Sequence, residues 1–231
     1  MISQAQLDIE NKSYQYHCQG MRLENVLLGP RWMNKPVFII GGGPSIKASD
    51  FLAVAKSCVH TIGINRSFEV FQTNLLFFMD YYPFYEKQKN TEAWKNFSGL
   101  KVAPSPICPS QFYGFDVYSV WRRMSPQVSQ DLKDGIYCGS NSGLGALMLA
   151  IALNCNPIYL LGYDLKISGQ THWHSGYGEK EDETLTVRLK DYKKDIEDLG
   201  LQALKLGYKI VNLSTDSALE VFPKKRVEDV C

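Results

Sequence analysis

The 231-residue sequence predicts a Rossmann-like α/β fold, a mostly parallel sheet with helices on both faces. Three observations carry that expectation. Short apolar runs rich in β-branched residues recur along the chain, each followed by a helix-like segment. The first run ends in Gly41-Gly42-Gly43-Pro44-Ser45, residues suited to a sharp strand-to-helix turn. From Gly143 to Leu153 nearly every residue is apolar or small, which marks a helix buried on most sides. Strands alternating with helices imply a parallel sheet covered on both faces.

The elements follow in order. Pro36 to Ile40 reads as a buried strand, and Ser49 to Ala55 as part of the helix after the glycine turn. Val59 to Ile64 is a second strand, ending in the polar cluster Asn65-Arg66-Ser67. Asn74 to Met79 is a third, ending in Asp80; Tyr82 to Lys95 then reads as helix and Leu100 to Ala103 as a short fourth strand. From Pro104 to Gly135 prolines and aromatics leave little period, so that stretch is expected to be irregular, with room for short strands. Pro157 to Leu161 is another strand, ending in Gly162-Tyr163-Asp164. Leu185, Leu189, Tyr192, Ile196, Leu199, Ala203 and Leu206 make one apolar helical stripe. Glu181, Asp182 and Glu183 suit the positive end of that helix, and Gly207 suits its stop. Tyr208 to Leu213 is a last strand. Residues 1–34 are expected to be an N-terminal extension and 35–231 one nucleotide-binding domain.

Net charge is +1, so no global field draws the chain onto nucleic acid or an anionic membrane. The segment from Met1 to Gly20 is polar and lacks a signal-peptide core, and the longest apolar run is too short to span a bilayer. The six cysteines are scattered and form no C-x-x-C pair, which favours reduced thiols. A cytoplasmic protein is expected, in a bacterium or a phage-infected cell, with scope for a homo-oligomer.

In open parallel sheets ligands sit outside the carboxyl ends of the strands. Those ends carry Gly41, Gly42 and Gly43, then Asn65 and Arg66, then Asp80, then Tyr163 and Asp164. Their convergence on one edge is the main argument for a site. The glycine turn with Ser45 could hold a phosphate, or could be a plain turn. Asn141, Ser142 and Gly143 open the buried helix and could take a second phosphate or a ribose, or could simply cap it. His172-Trp173-His174, with Tyr177, is the densest polar-aromatic cluster. A histidine there could take a proton at neutral pH. Asp80 could be a base, a ribose ligand or a metal ligand, or a strand-end turn residue, and Asp164 carries the same alternatives. The signatures of P-loop kinases, dinucleotide dehydrogenases and α/β-hydrolases are absent, and so is a D-x-D motif. No third ligand accompanies the two histidines, so no metal site is expected.

Seven segments in order carry a resemblance: Ile-Ile-Gly-Gly-Gly-Pro-Ser (39–45), Ile-Asn-Arg-Ser-Phe (64–68), Phe-Phe-Met-Asp (77–80), Asn-Ser-Gly-Leu-Gly-Ala-Leu (141–147), Ile-Tyr-Leu-Leu-Gly-Tyr-Asp-Leu (158–165), His-Trp-His (172–174) and Ser-Ala-Leu-Glu-Val-Phe-Pro (217–223). The set resembles a group of phage and prophage proteins, related to the archaeal hydroxymethylpterin diphosphokinase-like family and the motility accessory factors. It is also distantly similar to bacterial α-2,3/2,8-sialyltransferases that use CMP-sialic acid. That resemblance implies a metal-independent inverting glycosyltransferase with a CMP- or UDP-linked sugar as donor substrate and no tightly bound cofactor. It places the nucleotide on Gly41, Gly42, Gly43, Ser45 and Asn65, with Ser142 and Gly143 near the donor. Tyr163 and Tyr177 would hold the leaving phosphate, and His174 or His172 would be the base. The acceptor would be a glycan or a modified nucleobase. Gly42 and Asp80 stand where the family has Asn, and the segment after Asp164 is shorter than in the sialyltransferases. A magnesium-dependent diphosphokinase of a small alcohol, with Asp80 and Asp164 on the metal, is the first alternative. A non-catalytic nucleotide-binding phage protein is the second.

Overall fold

Val37–Ile40 forms strand β1, and all four side chains are fully buried. A strand covered on both faces has no solvent side for polar residues, which is why it reads as an unbroken apolar run. The computed structural model of the chain describes residues 22–25, 29–57, 59–105, 113–114, 116–167 and 183–231. The other strands are β2 (His60–Ile64), β3 (Leu75–Phe77), β4 (Leu100–Pro104), β5 (Val117–Val120), β6 (Arg122–Arg123), β7 (Ile136–Tyr137), β8 (Ile158–Leu161) and β9 (Ile210–Asn212). The longer helices are α1 (Ala48–Lys56), α2 (Ser142–Ala152) and α3 (Glu183–Lys205). Seven strands form one sheet in the order β5-β4-β3-β2-β1-β8-β9, every pair parallel. Strands β6 and β7 pair separately. The expected Rossmann-like α/β fold is what the chain adopts.

Alternate residues of the central strands feed different layers. Val37 and Ile39 of β1, with Ile62, Leu75 and Phe77, share a core with α2. Phe38 and Ile40 pack instead with Val54 of α1, Ile46 and Leu161. Helix α2 buries every residue from Leu144 to Ala152, and a large apolar side chain so covered contributes about 1.5–3 kcal/mol. Leu23 and Trp32, within the expected N-terminal extension, lie in the same core, and Arg22 bridges to Ser119 beside β5.

Two local expectations need correction. The helix expected over 82–95 is broken: Tyr82 is extended (φ −120°, ψ 135°), and only Tyr81–Tyr85, Glu86–Gln88 and Glu92–Lys95 are helical turns. Pro83 lacks the N–H that a continuous helix needs. The aromatic residues of this stretch pack downward, with Phe78, Phe84, Tyr85 and Trp94 in one cluster beneath the end of β3. The stretch from 104 to 135 holds the short strands β5 and β6, in line with the expectation of an irregular stretch with room for short strands. Helix α1 begins at Ala48, where the Lys47 N–H donates to Asp50 Oδ2 at 2.8 Å, and not at Pro44.

Candidate functional site

The strand order reverses between β1 and β8, and such a reversal leaves a crevice outside the carboxyl ends of the two strands. A cavity of about 260 Å³ lies there. Strand ends supply Gly41, Gly42, Gly43, Asn65, Asp80, Tyr163 and Asp164 to its wall. The start of α2 supplies Asn141, Ser142 and Gly143. The first half of the α3 stripe (Leu185, Leu189, Tyr192 and Ile196) lines the remaining side with apolar surface.

The glycine turn is bonded to β8 rather than left open. Gly41 N–H donates to the Leu161 carbonyl at 2.8 Å, and Gly43 N–H to the Gly162 carbonyl at 2.9 Å. The Ser45 N–H donates to Asp164 Oδ2 at 3.1 Å. A Cβ on Gly43 would fall 1.9 Å from that same oxygen. The buried Asp164 carboxylate therefore fills the space where the sequence suggests a phosphate. The Ser45 hydroxyl bonds to Ser214 Oγ at 2.9 Å and does not reach the cavity wall. The glycines here serve the close approach of two strand ends.

Asn65 ends β2 in the left-handed region (φ 49°), which Asn tolerates better than most residues. That turn leaves its Oδ1 buried with no hydrogen-bond partner. Ser67 Oγ is in the same condition, and Gly63 makes room for it: a Cβ there would sit 2.3 Å away. Arg66, between them, pairs with Glu69 through two 2.7 Å contacts and stands outside the cavity wall. At the start of α2, Asn141 Oδ1 accepts the Leu144 N–H at 2.8 Å. Its Nδ2 is thereby turned the other way, buried and without a partner. One acceptor, one donor and one hydroxyl are thus unmatched on three residues of a single cavity. Buried polar atoms in folded proteins are nearly always paired, so this group calls for a polar ligand.

Tyr163 has a different part. Its hydroxyl donates its one proton to the Gly143 carbonyl at 2.9 Å, and burial pushes the phenol far above its ordinary range. It clamps the end of β8 to the start of α2 and has no proton left for a phosphate. Asp80 is exposed on the cavity wall, and partial burial of its carboxylate raises its pKa. The nearby Arg122 opposes that rise. A carboxyl with a raised pKa is a better proton acceptor than an ordinary one. His172, His174 and Tyr177 lie outside the described residues. Among the described residues no three His, Cys, Asp or Glu side chains cluster as metal ligands, and no helix is long and apolar enough to cross a membrane.

The sequence matches no family model and no curated protein. Among solved structures, the MAf glycosyltransferase from Magnetospirillum magneticum AMB-1 superposes with a TM-score of 0.56 at 14% identity. The likeness is one of fold. The match covers 87% of this chain and 35% of that one, so this chain spans about a third of that neighbour's length. It extends the Rossmann-like assignment across most of the chain. Ser67, read from the sequence only as part of the polar cluster ending β2, also lines the cavity, as do Ser140 and Lys166, which the sequence reading does not name. Lys166 lies two residues beyond the strand-end residue Asp164, so a window as wide as the one that holds Asn65-Arg66-Ser67 reaches it.

Proposed function

We propose that this chain transfers a sugar from a CMP- or UDP-linked donor to an acceptor hydroxyl, without a metal and with inversion at the anomeric carbon. The observation that carries this reading is the placement of Asn65, Ser67 and Asn141, each with a buried polar atom that lacks a partner, in the wall of the cavity at the sheet's switch point. A nucleoside offers donors and acceptors together, which suits a wall of this mixed polar character. The glycosyltransferase neighbour and the motif order favour the same class. The acceptor would be a glycan or a modified nucleobase.

In the transfer, the acceptor oxygen loses its proton as it bonds to the anomeric carbon. The bond from that carbon to the phosphate oxygen breaks, and the nucleotide departs with the electron pair. Asp80, in the cavity wall, can take the proton; His172 and His174 remain the other candidate bases. First-turn N–H groups of α2 have no intrahelical acceptors and would stabilise the departing phosphate. A magnesium-dependent diphosphokinase would need Asp164 on the metal, but its Oδ2 already accepts the Ser45 N–H and packs against Gly43. That geometry favours the transferase.

A thermal-shift series with CMP, UDP, GDP, ADP and ATP, each with and without Mg²⁺, tests the reading. Ligand at a hundred times Kd stabilises by about 2.7 kcal/mol, which is several degrees for a chain of this length. We expect that shift with CMP or UDP in the absence of Mg²⁺. A shift confined to ATP with Mg²⁺ would point to the diphosphokinase, and no shift with any nucleotide to a non-enzymatic protein.

Asn141→Asp separates capping from binding. Asp caps a helix as well as Asn but buries a second oxygen without a donor, so the melting temperature should hold or fall slightly. The buried donor becomes an acceptor, so CMP or UDP should bind about tenfold or more weakly by calorimetry.

A further inference from the structure

The charged side chains in the cavity wall are Asp80, Asp164 and Lys166 among the described residues. A nucleotide entering it would meet two carboxylates and one ammonium, so the ammonium decides whether a phosphate is tolerated. Lys166 follows Leu165, which takes a left-handed turn (φ 49°) just past the end of β8. Its Nζ lies 2.5 Å from Asp216 Oδ2. The Lys166 side chain is 32% exposed and that of Asp216 is 90% exposed, so the pair joins the cavity wall to the open rim. An ion pair this exposed holds its partners weakly and exchanges readily for a better one.

Asp216 would not be abandoned by the exchange. Lys166 holds its carboxyl below the ordinary range, and Lys224 contributes to the same lowering. Lys224 itself donates to the Ser217 carbonyl at 2.6 Å, which fixes it beside this loop. If Lys166 turned inward, Asp216 would keep one cation nearby.

We propose that Lys166 is the phosphate anchor of the cavity, exchanging its ion pair with Asp216 for the ligand's phosphate on binding. The proposal rests on the nucleotide reading above and adds to it the group that recognises charge. It also gives Asp216 a part, as a competitor that sets how tightly phosphate binds.

The test is calorimetric titration of the full chain with CMP, UDP, cytidine and uridine. For the wild type, the nucleotide should bind more tightly than its nucleoside, with an affinity that falls as salt is raised. Lys166→Met should weaken the nucleotide about tenfold while leaving the nucleoside unchanged, since one charge-assisted contact is lost. Asp216→Asn should tighten the nucleotide about two- to fivefold by removing the competing carboxylate. A Lys166→Met protein that binds CMP and UDP like the wild type would overturn the anchor alone, as would equal losses for nucleotide and nucleoside. A wild type that binds none of the four overturns the nucleotide reading, and the anchor with it.

Discussion

Asp80→Asn is expected to lower transfer from the donor sugar nucleotide by about 10²–10⁴-fold, the usual worth of a positioned general base. The fold should survive and gain slightly. Burial puts the folded-state pKa of Asp80 above its unfolded value, so the unfolded chain releases this proton first as pH rises. The ionised carboxylate therefore costs stability, a cost absent below the unfolded pKa and complete above the folded one. The amide removes it. At neutral pH the variant should melt at or above the wild-type temperature, and the difference should close as pH falls toward the unfolded carboxyl value. The acid limb of kcat/KM, set in the wild type by this raised carboxyl pKa, should vanish from whatever activity remains. Near-normal transfer with an unchanged limb would assign the base role to His172 or His174 instead. A variant that is inactive yet no less stable is what a base with a raised folded-state pKa demands.

The sheet was legible because its strands are buried on both faces. Val37 to Ile40 and Ile158 to Leu161 cannot avoid reading as apolar runs. What escaped was local. Strands β6 and β7 have two residues each, below any period, and Tyr82 to Lys95 looks helical until Pro83 and the buried aromatic rings are weighed together. At the site, the strand-end rule gathers Gly41, Gly43, Asn65, Asp80, Tyr163 and Asp164 from the sequence alone. It could not say which of their atoms remain available. That depends on partners far along the chain: Asp164 takes the Ser45 N–H across 119 residues, and Tyr163 gives its proton to Gly143. The α3 stripe shows the same limit. Periodicity shows which residues share a face; that Leu185, Leu189 and Tyr192 line a cavity while Leu199 and Ala203 join the core depends on how α3 packs against α2.

Gly43→Ala is expected to melt about 5–15 °C below the wild type, with no ligand present. The new methyl would stand 1.9 Å from Asp164 Oδ2 and 2.6 Å from the Gly162 carbonyl. Neither atom can yield cheaply. The carboxylate is 4% exposed and holds the Ser45 N–H, so moving it breaks a charge-assisted bond and leaves a buried charge short of a partner. The carbonyl is backbone and accepts the Gly43 N–H itself, so moving it separates the ends of β1 and β8. Overpacking of this kind costs about 1–3 kcal/mol; with the bond the total is about 2–4 kcal/mol, at about 2–4 °C per kcal/mol for this chain length. The outcome bears on what the glycines are for. If they cradle a phosphate, the alanine variant should melt with the wild type and lose only its nucleotide shift. If they let two strand ends meet over Asp164, the empty protein should already be unstable, and a thermal melt of the ligand-free variant tells the two apart.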